Sequence, residues 1–254
     1  MKLITASLFT LVAASTALAA PSLHEERQAP PLATVFTTCK TPNTVAFTFD
    51  DGPWIYNDEI VAFLANQSIK ATFFFNGDNY DCIYSQDTMN RVKNIYKNGH
   101  QVGSHTWAHR HLTTLNATQI DSEMARVDLA LQRIIGITPA FMRPPYGEYN
   151  NVVRQVSAAR GQNMVNWDFD SGDSVGATPS ESKADYTRLI QSHPSTIIAL
   201  NHETEQTTAE DVIRVVIPQL KAAGYNLVTV AECLGMQPYQ NVTNPQTPDR
   251  TWRC

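Results

Sequence analysis

Several things are scarce in this chain of 254 residues. It has no basic excess: 19 Lys and Arg stand against 24 Asp and Glu, a formal charge of −5. Proteins that grip nucleic acid through phosphates are usually basic, so the balance argues against that partner class. Beyond residue 20 there is no run of about 18 consecutive apolar residues, so nothing there is expected to span a membrane. Glycine (11) and proline (14) are too few for a fibrous or mainly disordered chain. Four cysteines are far too few for a disulfide-dense miniprotein. No two of them are close in sequence, which argues against the C-x-x-C pairs of a structural zinc site. There is no repeat of fixed period and no low-complexity tract.

What is present begins at the N terminus. Lys2 precedes a run of apolar and small residues to Ala20, and Ala17-Leu18-Ala19 forms a small-x-small cleavage site. Residues 1–19 therefore read as a secretory signal peptide. Its removal takes away one positive charge, Lys2, and moves the net charge from −5 to −6. The expected destination is extracellular or the cell wall. An oxidising compartment favours two disulfides among Cys39, Cys82, Cys233 and Cys254, which allow three pairings. Asn66, Asn116 and Asn241 each open an N-x-S/T sequon, a candidate glycosylation site.

Residues 20–38 are polar and Pro-containing and read as a pro-segment or loose arm. A rhythm begins at residue 44. Apolar, β-prone runs stand at Thr44–Phe49, Ala71–Phe75, Gln101–Gly103, Ala140–Met142, Asn163–Trp167, Thr196–Leu200 and Asn226–Val230. Helical spacing marks Asp58–Asn66, Ala117–Ile135 and Ala209–Ala223, the last with Pro218 expected to kink it. Strands alternating with helices indicate βαβ units and a parallel sheet. About seven strands suit a single α/β domain over residues 39–235, an irregular (β/α) barrel, with an open doubly wound sheet as the alternative. The Pro- and Asn-rich tail, 236–254, is expected to pack on that domain, and no appended carbohydrate-binding segment is expected after 235.

In such folds chemistry gathers at the carboxyl ends of the strands. Five polar elements follow predicted strands. Asp50 and Asp51, in Thr48-Phe49-Asp50-Asp51-Gly52-Pro53, are costly after an apolar strand unless paired, hydrogen-bonded or bound to metal. His105 and His109 stand at i, i+4 and can share a metal. In the H-E-x-x-H motif the residue after the first His is the general base; Thr106 cannot serve, so a carboxylate must come from elsewhere. Arg143 opens the stiff Arg143-Pro144-Pro145-Tyr146-Gly147 loop and can hold a carboxylate. Asp168, Asp170 and Asp173 alternate with aromatic and small residues after Trp167, and His202 ends Leu200-Asn201-His202. Each element alone reads equally well as a solvated turn or a surface residue; their convergence on one end of one sheet does not.

These five elements, in this order, resemble the polysaccharide deacetylase family with the NodB homology domain, carbohydrate esterase family 4. The match covers roughly residues 39–235. Thr48–Pro53 resembles the family's T-F-D-D-G-P, His105–His109 its H-[ST]-x-x-H, Arg143–Gly147 its R-P-P-Y-G, and Leu200–His202 its L-x-H. The fourth motif departs: the family often has D-x-x-D-W, and here Ser174 follows Asp173.

The resemblance implies an irregular (β/α) barrel and a divalent metal, zinc or alternatively cobalt or another ion, held by Asp51, His105 and His109. It implies Asp50 as base, His202 as acid, Arg143 orienting Asp50 and Asp173 supporting His202. The Tyr146 backbone N–H would face the oxyanion, and Trp167 and Leu200 would line the acetyl pocket. Fungal chitin deacetylases look like the nearest subfamily. That likeness implies a secreted, monomeric hydrolase of the linear amides of chitin or chitooligosaccharides, with Cys39 paired to Cys233 and hence Cys82 to Cys254. Trp54, Tyr56, Trp107 and Tyr149 fall near the predicted top loops as candidate sugar contacts. Rival readings are an O-acetyl xylan esterase, a peptidoglycan deacetylase, and a non-catalytic chitin-binding protein.

Overall fold

A computed structural model describes residues 31–254. The signal-peptide reading, 1–19, lies outside the described residues, as does most of the 20–38 segment. The strands are β1 (Val35–Phe36), β2 (Thr44–Gly52), β3 (Thr72–Phe75), β4 (Gln101–Ser104), β5 (Ile137–Pro139), β6 (Phe141–Met142), β7 (Asn163–Val165), β8 (Phe169–Asp170), β9 (Thr196–His202), β10 (Asn226–Val228) and β11 (Tyr239–Val242). The helices are α1 (Asn57–Asn66), α2 (Gln86–Lys97), α3 (Ala117–Ile135), α4 (Asn151–Ala159), α5 (Pro179–Ser192), α6 (Ile213–Ala222) and α7 (Val230–Leu234).

Among the described residues nine strands form one sheet in the order β1-β7-β6-β4-β3-β2-β9-β8, with β10 also pairing β2. Every pairing within it is parallel. Strands β7 and β8 lie near opposite ends of this order, yet only Asn166–Asp168 separate them in the chain. A three-residue link spans roughly 14 Å at most, so the sheet must curl until its edges approach. The link bridges them: Asn166 N–H donates to Phe36 O at 2.8 Å, and Asp168 N–H donates to Ile198 O at 3.2 Å. The result is the expected irregular (β/α) barrel.

Alternation along the strands divides the core. Val45, Phe47 and Phe49 of β2 and Phe73 and Phe75 of β3 face the helices and pack with Ile60, Leu64, Val92 and Leu131. Ala46, Phe74, Phe141, Val165 and Ile198 face the barrel interior with Val230 and Ala231 of α7. Helix α7 plugs the amino ends of the strands. Its first N–H groups donate to side chains that open β3 and β4: Val230 N–H to Thr72 Oγ1 at 2.9 Å, Ala231 N–H to Gln101 Oε1 at 2.8 Å. The Cys39–Cys233 disulfide fastens this plug, and Cys82–Cys254 ties the tail to the loop after β3.

Two expectations are corrected. Val35–Phe36, read as part of a loose arm, form β1 on the sheet edge; a two-residue strand is too short to show a period. The helix expected over Ala209–Ala223 is α-helical only from Ile213 to Ala222, with Pro218 inside α6; upstream, Thr208–Val212 form a π-helical stretch. The tail after Gly235 pairs through β11 with β5. Among the described residues no helix is long and apolar enough to cross a membrane.

Candidate active site

All five motifs meet at the carboxyl end of the barrel. Parallel register fixes this: Asp50 on β2 lies directly beside His202 on β9, and Ser104 at the end of β4 beside Met142 on β6. The residues just past each strand end are thereby brought over one opening.

Asp51, His105 and His109 offer ligand atoms that all lie within 4.8 Å of one another. His109 Nε2 stands 3.3 Å and His105 Nε2 3.5 Å from the same oxygen, Asp51 Oδ1. That oxygen is buried and has no hydrogen-bond partner among the described residues. His105 Nδ1 lies 2.8 Å from Arg143 O; a carbonyl only accepts, so Nδ1 carries the proton and Nε2 presents its lone pair. Burial pushes both histidines down to about 3, so they stand neutral, the form that ligates. Burial also pushes Asp51 up to about 6, with Asp50 beside it adding to the rise. An orphaned carboxylate oxygen between two neutral imidazoles is a donor set that fits a divalent cation.

Asp50 is held from the opposite side. Arg143 is fully buried, and its Nη1 donates to Asp50 Oδ1 at 2.8 Å and to Thr48 Oγ1 at 2.7 Å. Its Nε and Nη2 donate to the carbonyls of Val165 (3.0 Å) and Asn166 (3.2 Å). The guanidinium is thus locked by four acceptors, and it fixes one carboxylate oxygen of Asp50. The other oxygen, Oδ2, faces His105 Nε2 at 3.7 Å. Burial raises the Asp50 carboxyl above its ordinary range, against the pull of Arg143.

His202 completes the opening. Asp173 Oδ1 lies 2.7 Å from His202 Nδ1, while Asp173 Oδ2 accepts the His202 backbone N–H at 2.8 Å and Thr208 Oγ1 at 2.7 Å. Burial opposes a charged imidazole here, yet the hydrogen bond and charge of Asp173 prevail, and His202 rises to about 9. One neutral histidine pair and one protonated histidine therefore share a single opening.

The cavity above these groups measures 460 Å³. Tyr146, Trp167 and Leu200 line it, together with His202 and the three clustered residues. Tyr80, Val175 and Glu205 also line it and had no signal in the sequence beyond position in loops. Ser174, at the position of the family's tryptophan, lies on the wall beside Val175, which is 80% exposed. Of the candidate sugar contacts, Trp54 packs against Tyr80 with ring centroids 5.3 Å apart, and Tyr149 is exposed. Tyr56 packs partly against the core. Trp107 is core: it is 3% exposed, with the Arg126 guanidinium 3.8 Å from its ring centroid. Asn66, Asn116 and Asn241 are exposed; Asn116 also caps α3 through its side chain. A larger hollow of 610 Å³ lies by α7, far from the five motifs, and holds none of these groups.

Comparison with known proteins identifies the family and the fold. The polysaccharide deacetylase family model matches residues 37–165. A chitin deacetylase of Pestalotiopsis sp is 36% identical over 231 residues, 91% of this chain and 76% of that one. A chitin deacetylase of Colletotrichum lindemuthianum is 32% identical over 234 residues, 89% of this chain and 94% of that one. The solved structure of the chitin deacetylase from that fungus superposes with a TM-score of 0.78 at 29% identity, covering 84% of this chain and 96% of that one. Sequence motifs, barrel and site geometry thus converge, and the chain belongs to the polysaccharide deacetylase family of hydrolases.

Proposed function

We propose that the protein is a secreted, zinc-dependent N-deacetylase of chitin or chitooligosaccharides, releasing acetate and leaving glucosamine units. The observation that carries this reading is the Asp51–His105–His109 cluster at one cavity, beside a carboxyl group fixed by Arg143 and a histidine hydrogen-bonded to Asp173. The relatives described as chitin deacetylases support the substrate class. The two disulfides suit an oxidising compartment.

An N-acetyl amide resists hydrolysis because its carbonyl is deactivated by resonance and its amine leaves only when protonated. Asp51, His105 and His109 would hold the ion, which when bound supplies a lowered water pKa and a polarised carbonyl. Asp50, with Oδ2 toward the cluster, takes the proton of the attacking water. Its raised pKa makes it a stronger base than an ordinary aspartate. The backbone N–H of Tyr146 donates to the carbonyl oxygen as charge develops there. His202 gives its proton to the departing nitrogen as the C–N bond breaks, and Asp173 keeps that proton available. Trp167 and Leu200 enclose the acetyl methyl group.

The test is acetate release from an N-acetylglucosamine tetramer, before and after chelation and with zinc restored. Release should vanish with chelator and return with zinc. A zinc-loaded chain that releases no acetate from the tetramer, yet does so from acetyl xylan, would replace this reading with an O-acetyl esterase.

A further inference from the structure

Among the described residues seven non-glycine positions have left-handed backbone, and four of them surround the site: Asp51 (φ 72°), Thr106 (70°), His109 (50°) and Tyr146 (60°). Left-handed backbone is unfavourable for side chains with a Cβ, and it persists only where the surroundings over-determine it. Two of the four, Asp51 and His109, belong to the three-residue cluster. Their loops must be held by something outside the cluster itself.

The loop after β2 is held by Glu203. This side chain is fully buried. Its Oε1 accepts the Trp54 backbone N–H at 2.7 Å, and its Oε2 accepts Asn57 Nδ2 at 3.0 Å. Its own backbone N–H donates to Asp50 O at 3.3 Å. A Cβ at position 52 would lie 1.8 Å from Glu203 Oε1, so glycine stands there because the carboxyl fills the space. The loop after β4 is held in the same manner by Glu123 of α3. That residue is buried, and its Oε2 accepts the Ala108 backbone N–H at 2.8 Å. In each case a buried carboxyl group from a remote element accepts a main-chain N–H within three residues of a left-handed member of the cluster.

We propose that Glu203 and Glu123 are positioning residues that preset the Asp51–His105–His109 geometry, so that metal affinity, beyond fold stability, depends on both. The proposal rests on the reading that these three residues hold a divalent ion. Outer partners of metal ligands commonly contribute 10- to 100-fold in affinity. Glutamine would preserve each grip. It keeps an acceptor for the Trp54 or Ala108 N–H. At the first site Asn57 Oδ1, buried without a partner among the described residues, can accept from the amide that Glu203→Gln introduces once the Asn57 side chain turns over. Alanine would release the grip.

The experiment measures zinc affinity of the full chain by competition with a chromophoric chelator, for wild type, Glu203→Ala, Glu203→Gln, Glu203→Met, Glu123→Ala, Glu123→Gln and Glu123→Met. Melting of each metal-free protein is recorded alongside, so that affinity is read only where the chain is folded. The alanine variants should bind zinc about 10- to 100-fold more weakly. The glutamine variants, which keep both volume and acceptor, should stay within about threefold of wild type, whereas Glu203→Met and Glu123→Met, which keep most of the volume without an acceptor, should weaken binding as alanine does. If an alanine variant does not fold, Glu203→Asp and Glu123→Asp keep the carboxyl group but withdraw it by one methylene, and the same weakening is expected. Folded variants lacking the grip yet binding zinc like wild type overturn the proposal. A wild-type chain that binds no zinc overturns the ligand reading, and this proposal with it.

Discussion

The two ends of the barrel are assembled from similar parts to opposite effect. At the amino ends, the backbone N–H groups that open the α7 plug all find partners close by. Thr229 and Glu232 cap one another, and Thr72 and Gln101 take the next two N–H groups. At the carboxyl ends, Asp51 Oδ1 is left without a partner among the described residues, like-charged Asp50 and Asp51 adjoin, and four non-glycine residues take left-handed backbone. Left-handed backbone costs such a residue roughly 1–2 kcal/mol, and an unsatisfied buried polar group about 1–3 kcal/mol. The lesson is that capped, hydrogen-bonded backbone closes a barrel, while unsatisfied ligand atoms leave it competent to bind and react.

Three changes would break or sharpen this contrast. Asp50→Asn removes the base but leaves the cluster of Asp51 and the two histidines whole. Turnover of the chitooligosaccharide should fall about 10²- to 10⁴-fold with zinc still bound. Steady-state kinetics beside metal analysis checks this, and near-normal turnover would remove Asp50 from its role. At the opposite end, replacing Cys39 and Cys233 together by alanine opens a cross-link between residues 194 apart. Stability in denaturant should drop by about 2–5 kcal/mol, with kcat unchanged at temperatures where the variant is folded. A large loss of kcat there would mean that the ends are coupled. Asp173→Asn should produce the smallest of the three effects, and it appears only with pH. His202 rises to about 9 and donates its proton, so activity should hold below that pH and fall as pH rises through it. Without Asp173 the limb should move toward the ordinary histidine value of about 6.5, lowering the rate at pH 8 by up to about 30-fold. An alkaline limb at the same pH in both proteins would show that another group sets it.

Much of this was legible in the sequence, for identifiable reasons. Each of the seven apolar runs contains a parallel strand, and most are buried, as β2, β3, β4, β6 and β9 are, which is why they read as largely apolar. Helix α3 begins and ends where expected, from the Asn116 cap to left-handed Gly136, because its 3–4 apolar spacing is uninterrupted. Strands β5 and β8 escaped notice because two or three residues carry no period. Helix α2 is mostly polar, and only Thr88, Met89, Val92 and Ile95 are buried. The site followed the same division. Asp50, His105, Arg143 and His202 announce themselves by standing at or just past the carboxyl ends of apolar strands. Glu203 is adjacent to His202 and still carried no signal, since its meaning comes from Gly52, Trp54 and Asn57, some 150 positions earlier. Glu123 sits on a helix face that periodicity alone assigns to packing.

Strand β2 also has a bearing on how the molecule fails. It is hydrogen-bonded to β9 from Thr44 to Asp50, and its other edge is taken first by β10 and then by β3. Such a strand has no free edge from which to fray, so its amides belong with those that exchange with solvent only when the whole domain opens. Asp50 and Asp51 ride on it. Heat should therefore silence the site in the same step that unfolds the domain, with no cooler interval in which the chain is folded but its carboxylates have come adrift.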